Sequence, residues 1–279
     1  GSGAPGNRTP LYFMIKLISQ IIKKFFTTKR YLYFLPRTLR MRLFNIKKLK
    51  LYKTKTGNYY LPKYAYKDII RNHIINNSIF DEHIYNLAKE YIEPDSIVLD
   101  LGSNFGQLGI LFSKVQKNVD VYCFEASKYI FEILKKNIQI NNANAIPINC
   151  IVGNKTGDKL TIKSATLKNY NTYGSNKIEI IKPENNNNSE NINLVKIDDF
   201  NFEKKVSFMK IDIQGYDLMA LYGSIKTIEK HRMPIVFEYT PEFSEELNYT
   251  FEDFEKFIKS IDYYIVKRID YYNYLIKPR

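Results

Sequence analysis

The chain has 279 residues, of which 44% are hydrophobic and 25% are charged, so its length and composition are those of a globular protein with a sizeable core. It contains no run of eighteen apolar residues, and therefore no membrane-spanning helix is expected. The formal net charge of +13 is compatible with an anionic partner such as nucleic acid, a membrane surface or a phosphorylated substrate, and equally with a lysine-rich solvated surface.

The cysteine content indicates a reducing compartment. Cys123 and Cys150 lie in separate apolar stretches and belong to no cluster with metal-ligand spacing. We interpret both as buried thiols of a cytoplasmic protein, and no metal site is predicted.

The N-terminal part of the chain is predicted to form an extension of residues 14–79, after a cloning scar at residues 1–13. Residues 14–34 carry apolar side chains at helical spacing with lysines between them, which is typical of a helix packed on its own domain. A basic amphipathic helix in peripheral contact with a membrane is the alternative. Residues 36–80 are predicted to be helical or mixed, so the extension is a candidate cap.

From residue 80 onward, helical and strand patterns alternate. Strands are predicted at 96–101, 119–125, 145–153, 205–212, 233–239, 263–270 and 271–278. Helices are predicted at 81–92, 105–115, 127–142, 216–231 and 251–261, and residues 168–194 form a long loop. Because the strands are apolar throughout, this alternation predicts an α/β fold with a mostly parallel sheet and helices on both faces.

Two features at strand ends indicate a ligand site, because ligands of open α/β sheets bind beyond the carboxyl ends of the strands. The first strand contains Asp100 near its end and is followed by Gly102, Asn104 and Gly106, in the spacing D-x-G-x-N-x-G rather than that of a dinucleotide fingerprint. Glu125 ends the next strand, where a carboxylate can accept hydrogen bonds from both hydroxyls of a ribose. Together they favour an adenosine-bearing ligand over solvated strand-end carboxylates and a plain turn.

The ordered set of motifs resembles one family. Across about residues 80–240 the chain resembles FkbM-type methyltransferases in the stretches VLDLGSNFGQLG (98–109), VYCFEAS (121–127), ILKKNIQINN (133–142), VKIDDF (195–200), FMKIDIQGYDLMALYG (208–223) and PIVFEY (234–239). The resemblance implies an enzyme that depends on S-adenosyl-L-methionine, with a seven-stranded Rossmann-like sheet in a methyltransferase domain at residues 80–279. Members of the family are mostly O-methyltransferases of natural products, sugars and glycan components.

The resemblance also implies roles for individual residues. The residues that it assigns to the cofactor are Asp100, Gly102, Ser103, Asn104 and Gly106 in the loop, Glu125 at the ribose, Ala126 near the adenine, and Asn142 at the end of a helix. The motif at 210–217 departs from the family, because Gln214 and Asp217 replace two glutamates. If the first glutamate serves as a base or metal ligand, that role is absent here or belongs to another residue.

Methyl transfer to a hydroxyl requires a base within hydrogen-bonding reach of the acceptor. Asp212 and Glu238 are the candidates that end strands, with His231 a weaker one, and Lys210 shares a strand face with Asp212 by period-two alternation. Asp212 can either deprotonate the acceptor or bind the amino group of the cofactor. Asp212 and Gln214 offer oxygen atoms suited to Mg²⁺, but they include a single carboxylate and do not predict a metal site.

The resemblance implies an O-methyltransferase that acts on a hydroxyl of a sugar, a nucleotide-linked sugar, a phosphorylated intermediate or another small molecule, within surface-polysaccharide biosynthesis. Two alternatives stay open. An RNA methyltransferase fits the net charge of +13, although the signatures of amino and pyrimidine C5 methylation are absent. A non-catalytic binding module on a methyltransferase fold fits the glutamine at position 214.

Overall fold

The computed structural model describes residues 48–163 and 189–279. The described residues between Leu49 and Arg279 form one compact unit. The predicted helix at residues 14–34 and the asparagine run at 185–188 lie outside the described residues. Residues 49–79, which the sequence assigned to the extension, belong to the same compact unit as the described residues from 80 onward.

The unit begins with a hairpin and two short helices. The hairpin consists of β1 (Leu49–Thr54) and β2 (Gly57–Pro62), which pair antiparallel. The helices are α1 (Ile69–Ile75) and α2 (Glu82–Ala88).

Alternating strands and helices then build a central sheet. Its first half contains β3 (Ile97–Leu101), α3 (Gln107–Phe112), β4 (Asp120–Phe124), α4 (Lys128–Ile140) and β5 (Ala145–Ile148). A separate small sheet follows, made of β6 (Ile151–Val152), β7 (Lys159–Lys163) and β8 (Ser189–Val195). The second half contains β9 (Val206–Ile211), α5 (Asp217–Tyr222), α6 (Ile225–His231), β10 (Ile235–Glu238), α7 (Pro241–Glu246), α8 (Phe251–Ser260), β11 (Tyr263–Arg268) and β12 (Asn273–Pro278).

The central sheet has seven strands in the order β11-β12-β10-β9-β3-β4-β5, and β12 runs antiparallel to both of its neighbours. The other pairings in the sheet are parallel. The predicted mostly parallel, seven-stranded sheet is therefore confirmed. The order reverses at β3, so the carboxyl ends of β3, β4 and β9 meet at one edge, where ligands of such sheets bind.

One predicted strand is divided between two sheets. The sequence predicted a single strand over 145–153, but β5 joins the central sheet and β6 pairs with β8. The side chain of Asn149, at the break, donates to the backbone oxygens of Glu125 and Ala126 at 2.8 and 3.0 Å. These bonds tie the chain to the end of β4 where it leaves the central sheet.

Two apolar clusters cover the two faces of the sheet. Alternate residues of β3 divide between them, because Leu99 and Leu101 belong to one cluster and Val98 to the other. The first cluster contains side chains of α5, α6 and α8, and the second contains side chains of α1, α2, α3 and α4. Helices therefore pack on both faces, as the sequence predicted. None of the helices in the described ranges has the length and hydropathy of a membrane span.

Asn137 of α4 and Asn141, the C-cap residue of that helix, hold the hairpin against the domain. The Asn137 side chain accepts from Tyr60 N at 2.7 Å and donates to Tyr60 O at 3.2 Å and Phe105 O at 2.9 Å. One turn later, Asn141 makes the same two-way contact with the backbone of Asn58, at 2.9 and 2.6 Å. A primary amide supplies both the donor and the acceptor that an exposed strand edge requires.

We expect Asn137→Ala to lower the free energy of unfolding by about 2 to 4 kcal/mol, because three backbone groups lose their partner. Urea unfolding measures the change. The matched control is Asn142→Gly, since Asn142 is exposed and has a φ of 47°, which glycine also adopts. The control should change stability by less than about 0.5 kcal/mol. Equal effects of the two substitutions would contradict the anchoring role.

Candidate active site

The loop between β3 and α3 lies against the end of β9. Gly102 has a φ of +86°, and a Cβ built on it would lie 1.8 Å from the backbone oxygen of Asp212. The backbone N–H groups of Gly102 and Ser103 both donate to Phe124 O at 3.0 Å. Since a side chain at position 102 has neither the backbone conformation nor the space that it needs, glycine is required there.

Glu125 is positioned by backbone donors from two elements. Its Oε2 accepts from Asn104 N at 3.0 Å and its Oε1 accepts from Ser127 N at 2.8 Å. Burial raises the pKa of Glu125 to about 7, although these two N–H groups act in the opposite direction. Each carboxylate oxygen has two lone pairs, so both keep the capacity to accept a further hydrogen bond from a ligand hydroxyl.

A buried lysine and a buried aspartate lie side by side on neighbouring strands in the middle of the sheet. Asp100 of β3 and Lys210 of β9 are register partners, and their side chains are 1% and 4% exposed. Lys210 Nζ lies 3.7 Å from Asp100 Oδ1 and 3.3 Å from Asp212 Oδ2. Neither carboxylate oxygen of Asp100 has a hydrogen-bond partner. The burial of Asp100 raises the pKa of its carboxyl group.

The charge of Lys210 is stabilised by several carboxylates. Burial by itself lowers the pKa of Lys210, but Asp212, Asp100 and Asp81 outweigh it and hold that pKa above its ordinary value. The ammonium group is therefore charged at neutral pH, as a compensating cation among acids.

Gln214 links two carboxyl groups at the ends of β9 and β10. Its Nε2 donates to Asp212 Oδ1 at 3.1 Å and to Glu238 Oε2 at 3.4 Å. Burial, with the nearby charges of Asp212 and Asp217, raises the pKa of Glu238 well above its ordinary value. Asp217, the first residue of α5, accepts from Glu238 N at 3.2 Å. Burial raises the pKa of Asp217 as well. Asp212 is therefore the better base candidate of the two strand-end acids, because Glu238 tends to retain its proton.

A cleft opens at this edge of the sheet. Its lining includes Phe80, Asp81, Asp100, Gly102, Lys210 and Asp212. We call it the carboxyl-edge cleft. The cysteines lie outside it, and both are buried free thiols, as the sequence predicted.

Asp81 was missed by the sequence analysis. It precedes α2, far along the chain from the strand-end motifs, and no spacing signal distinguished it from an ordinary helix-starting residue. Gln107 of α3 brings this segment over the loop, because its side chain accepts from Phe80 N at 3.0 Å and donates to Ser78 O at 2.9 Å. Burial, followed by the charge of Asp212, raises the pKa of Asp81 to about 6.

Two predicted residues lie elsewhere. Asn142 follows the last turn of α4, which runs antiparallel to the strands, so it lies at the amino ends of the strands and is exposed. His231 ends α6, and its Nδ1 accepts from Val206 N at 3.2 Å at the beginning of β9. Both are at the edge of the sheet opposite the cleft. Asn149 is instead the asparagine that contacts the carboxyl end of β4.

The remaining predicted residues are close to the cleft. Ser103 and Asn104 line it, and Gly106 is the N-cap of α3. Ala126 follows Glu125, and its backbone oxygen accepts from Asn149. Within the described ranges, no group of three or more His, Cys, Asp or Glu side chains has the arrangement of a metal site.

The sequence of the chain matches the model of one protein family. The sequence model of the Methyltransferase FkbM domain matches residues 100–265, which is more than half of the chain. The chain belongs to the FkbM methyltransferase family. S-adenosyl-L-methionine, the cofactor predicted from the sequence, is confirmed at the level of this family. No curated protein matches the FkbM-family chain.

Several solved methyltransferase structures are similar in fold. The Methyltransferase FkbM of Methylobacillus flagellatus KT is 18% identical over 69% of this chain and 49% of its own, with a TM-score of 0.44. Trm5b of Pyrococcus abyssi is 13% identical over 84% of this chain and 56% of its own, with a TM-score of 0.44. The tRNA (uracil-54, C5)-methyltransferase of Pyrococcus abyssi, in complex with S-adenosyl-L-homocysteine, is 15% identical over 82% of this chain and 43% of its own, with a TM-score of 0.38. The chain spans about half the length of these proteins.

The carboxyl-edge cleft of the FkbM-family chain fits its cofactor in three respects. The turn at Gly102 carries no side chain, so a ligand can approach its backbone closely. The buried carboxylate of Asp100 has no hydrogen-bond partner of its own. Glu125 has spare acceptor capacity one βαβ step away, where the ribose of a nucleoside binds in folds of this type.

We expect Glu125→Ala to weaken the affinity for S-adenosyl-L-homocysteine at least about tenfold, or about 1.4 kcal/mol. Titration calorimetry measures it, and Glu132→Ala is the control, because Glu132 is an exposed residue of α4 that pairs with Lys135. If both variants bind like the wild type, Glu125 is not the ribose acceptor.

The same contact should depend on pH. The pKa of Glu125 is raised to about 7, so its carboxyl group gains a proton as the pH falls through 7 and accepts hydroxyl hydrogens less well. The affinity of the wild type for S-adenosyl-L-homocysteine should therefore fall between about pH 8 and pH 6. Glu125→Gln, which does not titrate, should show a flat profile over this range. A flat profile in the wild type would contradict the assignment.

Proposed function

We propose that the chain is an S-adenosyl-L-methionine-dependent O-methyltransferase whose acceptor is a hydroxyl of a sugar, a nucleotide-linked sugar, a phosphorylated intermediate or another small molecule, with a role in surface-polysaccharide biosynthesis. The observation that carries the proposal is the carboxylate of Asp212. It lies beside the cofactor loop, 22% exposed, with one donor on each oxygen. A base in this position is what methylation of a hydroxyl requires.

The loop and the end of β4 would hold the cofactor. The backbone of Gly102 to Gly106 would bind its amino-acid part, and Glu125 would accept hydrogen bonds from the ribose hydroxyls. Ala126 would lie on the adenine side, where Asn149 fixes the backbone. When bound, the cofactor supplies an electrophilic methyl group on a positively charged sulfur.

Asp212 is oriented for proton abstraction. Lys210 donates to its Oδ2 at 3.3 Å and Gln214 donates to its Oδ1 at 3.1 Å, which fixes the plane of the carboxylate. The lone pairs that remain face the cleft and can accept the proton of an acceptor hydroxyl. Lys210 offsets the negative charge of the carboxylate without reaching solvent, since its side chain is 4% exposed. Fixed orientation of the reacting groups lowers the barrier by several kcal/mol.

Position 214 suits a hydrogen-bond donor. The amide of Gln214 gives one hydrogen to Asp212 and one to Glu238, whereas a glutamate there would place a third acid against both. The departure from the family motif therefore supports an intact site in which the amide replaces repulsion by two hydrogen bonds. This weighs against the non-catalytic alternative that Gln214 suggested.

The sign of the charge at the cleft favours a hydroxyl acceptor over RNA. Asp81, Asp100 and Asp212 line the cleft with Lys210, so the carboxylates outnumber the cation. The phosphodiester backbone of RNA carries a negative charge at every nucleotide and is repelled by such a surface along its length, whereas the hydroxyl groups of a small acceptor donate hydrogen bonds to carboxylates. The net charge of +13 belongs to the chain as a whole and not to this cleft.

Acceptor screening tests the proposal. Release of S-adenosyl-L-homocysteine is measured with neutral sugars, nucleotide-linked sugars, phosphorylated sugars and RNA. We expect turnover on a sugar hydroxyl, with a rate that changes less than about threefold between low and moderate salt, because few phosphates are contacted. Turnover on RNA that falls steeply with salt would establish the alternative instead.

With that acceptor, we expect Asp212→Asn to lower kcat by about 10² to 10⁴, the usual contribution of a general base. Binding of S-adenosyl-L-homocysteine should change less than about threefold, because an amide keeps the shape of the side chain. The control is Asp158→Asn, which removes an exposed carboxylate between β6 and β7. A variant of Asp212 that retains full kcat would exclude it as the base.

A further inference from the structure

Asp81 occupies an unusual position for a helix-starting aspartate. It is the N-cap residue of α2, yet its side chain accepts no hydrogen bond from the first turn of that helix. An N-cap aspartate normally accepts one from the N2 or N3 backbone N–H, which stabilises the helix by about 1 kcal/mol. Its backbone has a φ of 56°, in the left-handed region. The chain therefore forgoes a cap and adopts an uncommon conformation at this residue, which places the carboxylate in the cleft.

The position is fixed by the residues around it. Gln107 holds Phe80 and Ser78 by two hydrogen bonds, so the segment that precedes Asp81 is tied to the first residue of α3. The charged groups that act on Asp81 are Asp212, Lys210, His83 and Asp270, in that order of strength. Asp212 therefore has the strongest electrostatic effect on Asp81 among these groups. Because like charges repel, it is energetically unfavourable for both carboxylates to be ionised in the cleft.

Beneath them, Asp100 points to a cationic ligand. It is 1% exposed, lines the same cleft, and neither of its oxygens has a hydrogen-bond partner. Among the lining residues of the cleft, Lys210 supplies a positive charge. Its Nζ lies closer to Asp212 Oδ2, at 3.3 Å, than to Asp100 Oδ1, at 3.7 Å. The lining of the cleft therefore holds three carboxyl groups and one ammonium group, an arrangement that favours a positively charged ligand.

We propose that Asp81 is a cofactor-selecting residue, which with Asp212 favours the positively charged sulfonium of S-adenosyl-L-methionine over the neutral sulfide of S-adenosyl-L-homocysteine. This inference rests on the proposed function, because Asp212 can act as the base only if the methyl group and its sulfur lie near it. The positive charge next to Asp212 and Asp81 is then the sulfonium. Transfer of the methyl group to the acceptor removes that charge. The two carboxylates would then bind S-adenosyl-L-methionine more tightly than S-adenosyl-L-homocysteine, and the product would dissociate more readily.

Asp81 lies outside the residues matched by the family, which begin at residue 100. The residue that selects between the two forms of the cofactor therefore lies in the segment that connects α1 and α2. The ammonium group of the cofactor does not account for it, because that group is common to both forms and contributes equally to both affinities.

The test compares two ligands on one protein. Sinefungin carries an ammonium in place of the methylated sulfonium and does not react, whereas S-adenosyl-L-homocysteine is neutral at that atom. Titration calorimetry at pH 8, above the pKa of about 6 of Asp81, gives both affinities for the wild type and for Asp81→Asn. We expect the wild type to bind sinefungin at least about tenfold more tightly, and Asp81→Asn to reduce this ratio to less than about threefold.

The matched control is Asp95→Asn, at an aspartate whose φ is 55°. Asp95 is exposed and accepts from Asn118 Nδ2 at 2.8 Å, before the beginning of β3. The ratio of the two affinities should equal that of the wild type. Asparagine tolerates the left-handed conformation at both positions, so both variants should fold.

Four outcomes distinguish the possibilities. A ratio that collapses only in Asp81→Asn supports the proposal. An unchanged ratio overturns it, even if both affinities fall together, since Asp81 would then serve the ammonium or the fold. A wild type that does not prefer sinefungin overturns it as well. A folded wild type that binds neither ligand contradicts the proposed function itself.

Thermal unfolding gives a readout that a structural role would not share. Burial raises the pKa of Asp81 from 3.8 to about 6 in the folded state. Between these two pH values the folded state binds more protons than the unfolded state, so the free energy of unfolding falls as the pH rises. At pH 8, Asp81→Asn should melt at the same temperature as the wild type or higher, while its selectivity is lost. A marked fall in melting temperature would indicate a structural role and contradict the proposal.

Discussion

The buried pair of Asp100 and Lys210 is the interaction on which the rest of the site depends. The two residues face each other in the register of β3 and β9, where the order of the sheet reverses. Removing one partner of such a pair commonly costs about 3 to 5 kcal/mol, because the other charge stays buried. Lys210 also contacts Asp212 and acts electrostatically on Asp81, Glu125, Asp217 and Glu238. The charge of Lys210 therefore reduces the repulsion among several carboxyl groups that lie close together.

The carboxyls differ because their surroundings differ. Glu238 is half-buried between acids, and its pKa is held high by burial and by neighbouring charges. Asp212 has a cationic donor on one oxygen and an amide donor on the other, and both bonds orient its carboxylate. The distribution of donors, rather than the residue type, therefore separates a base from a retained acid. Gln214 contributes to both environments through its two amide hydrogens.

Local patterns predicted much of this arrangement, and the errors share a cause. The strand ends, the loop glycines, Glu125, Lys210 and Asp212 were found because apolar runs and period-two alternation are properties of short segments. Asn142 and the weaker base candidate His231 lie away from the cleft. Asn142 follows α4 and His231 ends α6, and both helices return to the amino ends of the strands, a direction that a motif match does not carry. The break at Asn149 was missed because its bonds go to Glu125 and Ala126, more than twenty residues away.

The sequence by itself determined the α/β architecture and the set of strand-end residues that meet at one edge, because both follow from local periodicity and from glycine spacing. The family followed from the resemblance of the ordered motifs. The tertiary structure alone decided what lies over that edge. Asp81 reaches the cleft through the hydrogen bonds of Gln107 to Phe80 and Ser78, and the hairpin is held by Asn137 and Asn141. Such contacts join segments about twenty-five to eighty residues apart in the chain, and no short-range pattern specifies them. Their distances and burial also set the pKa of each acid, which residue type alone does not.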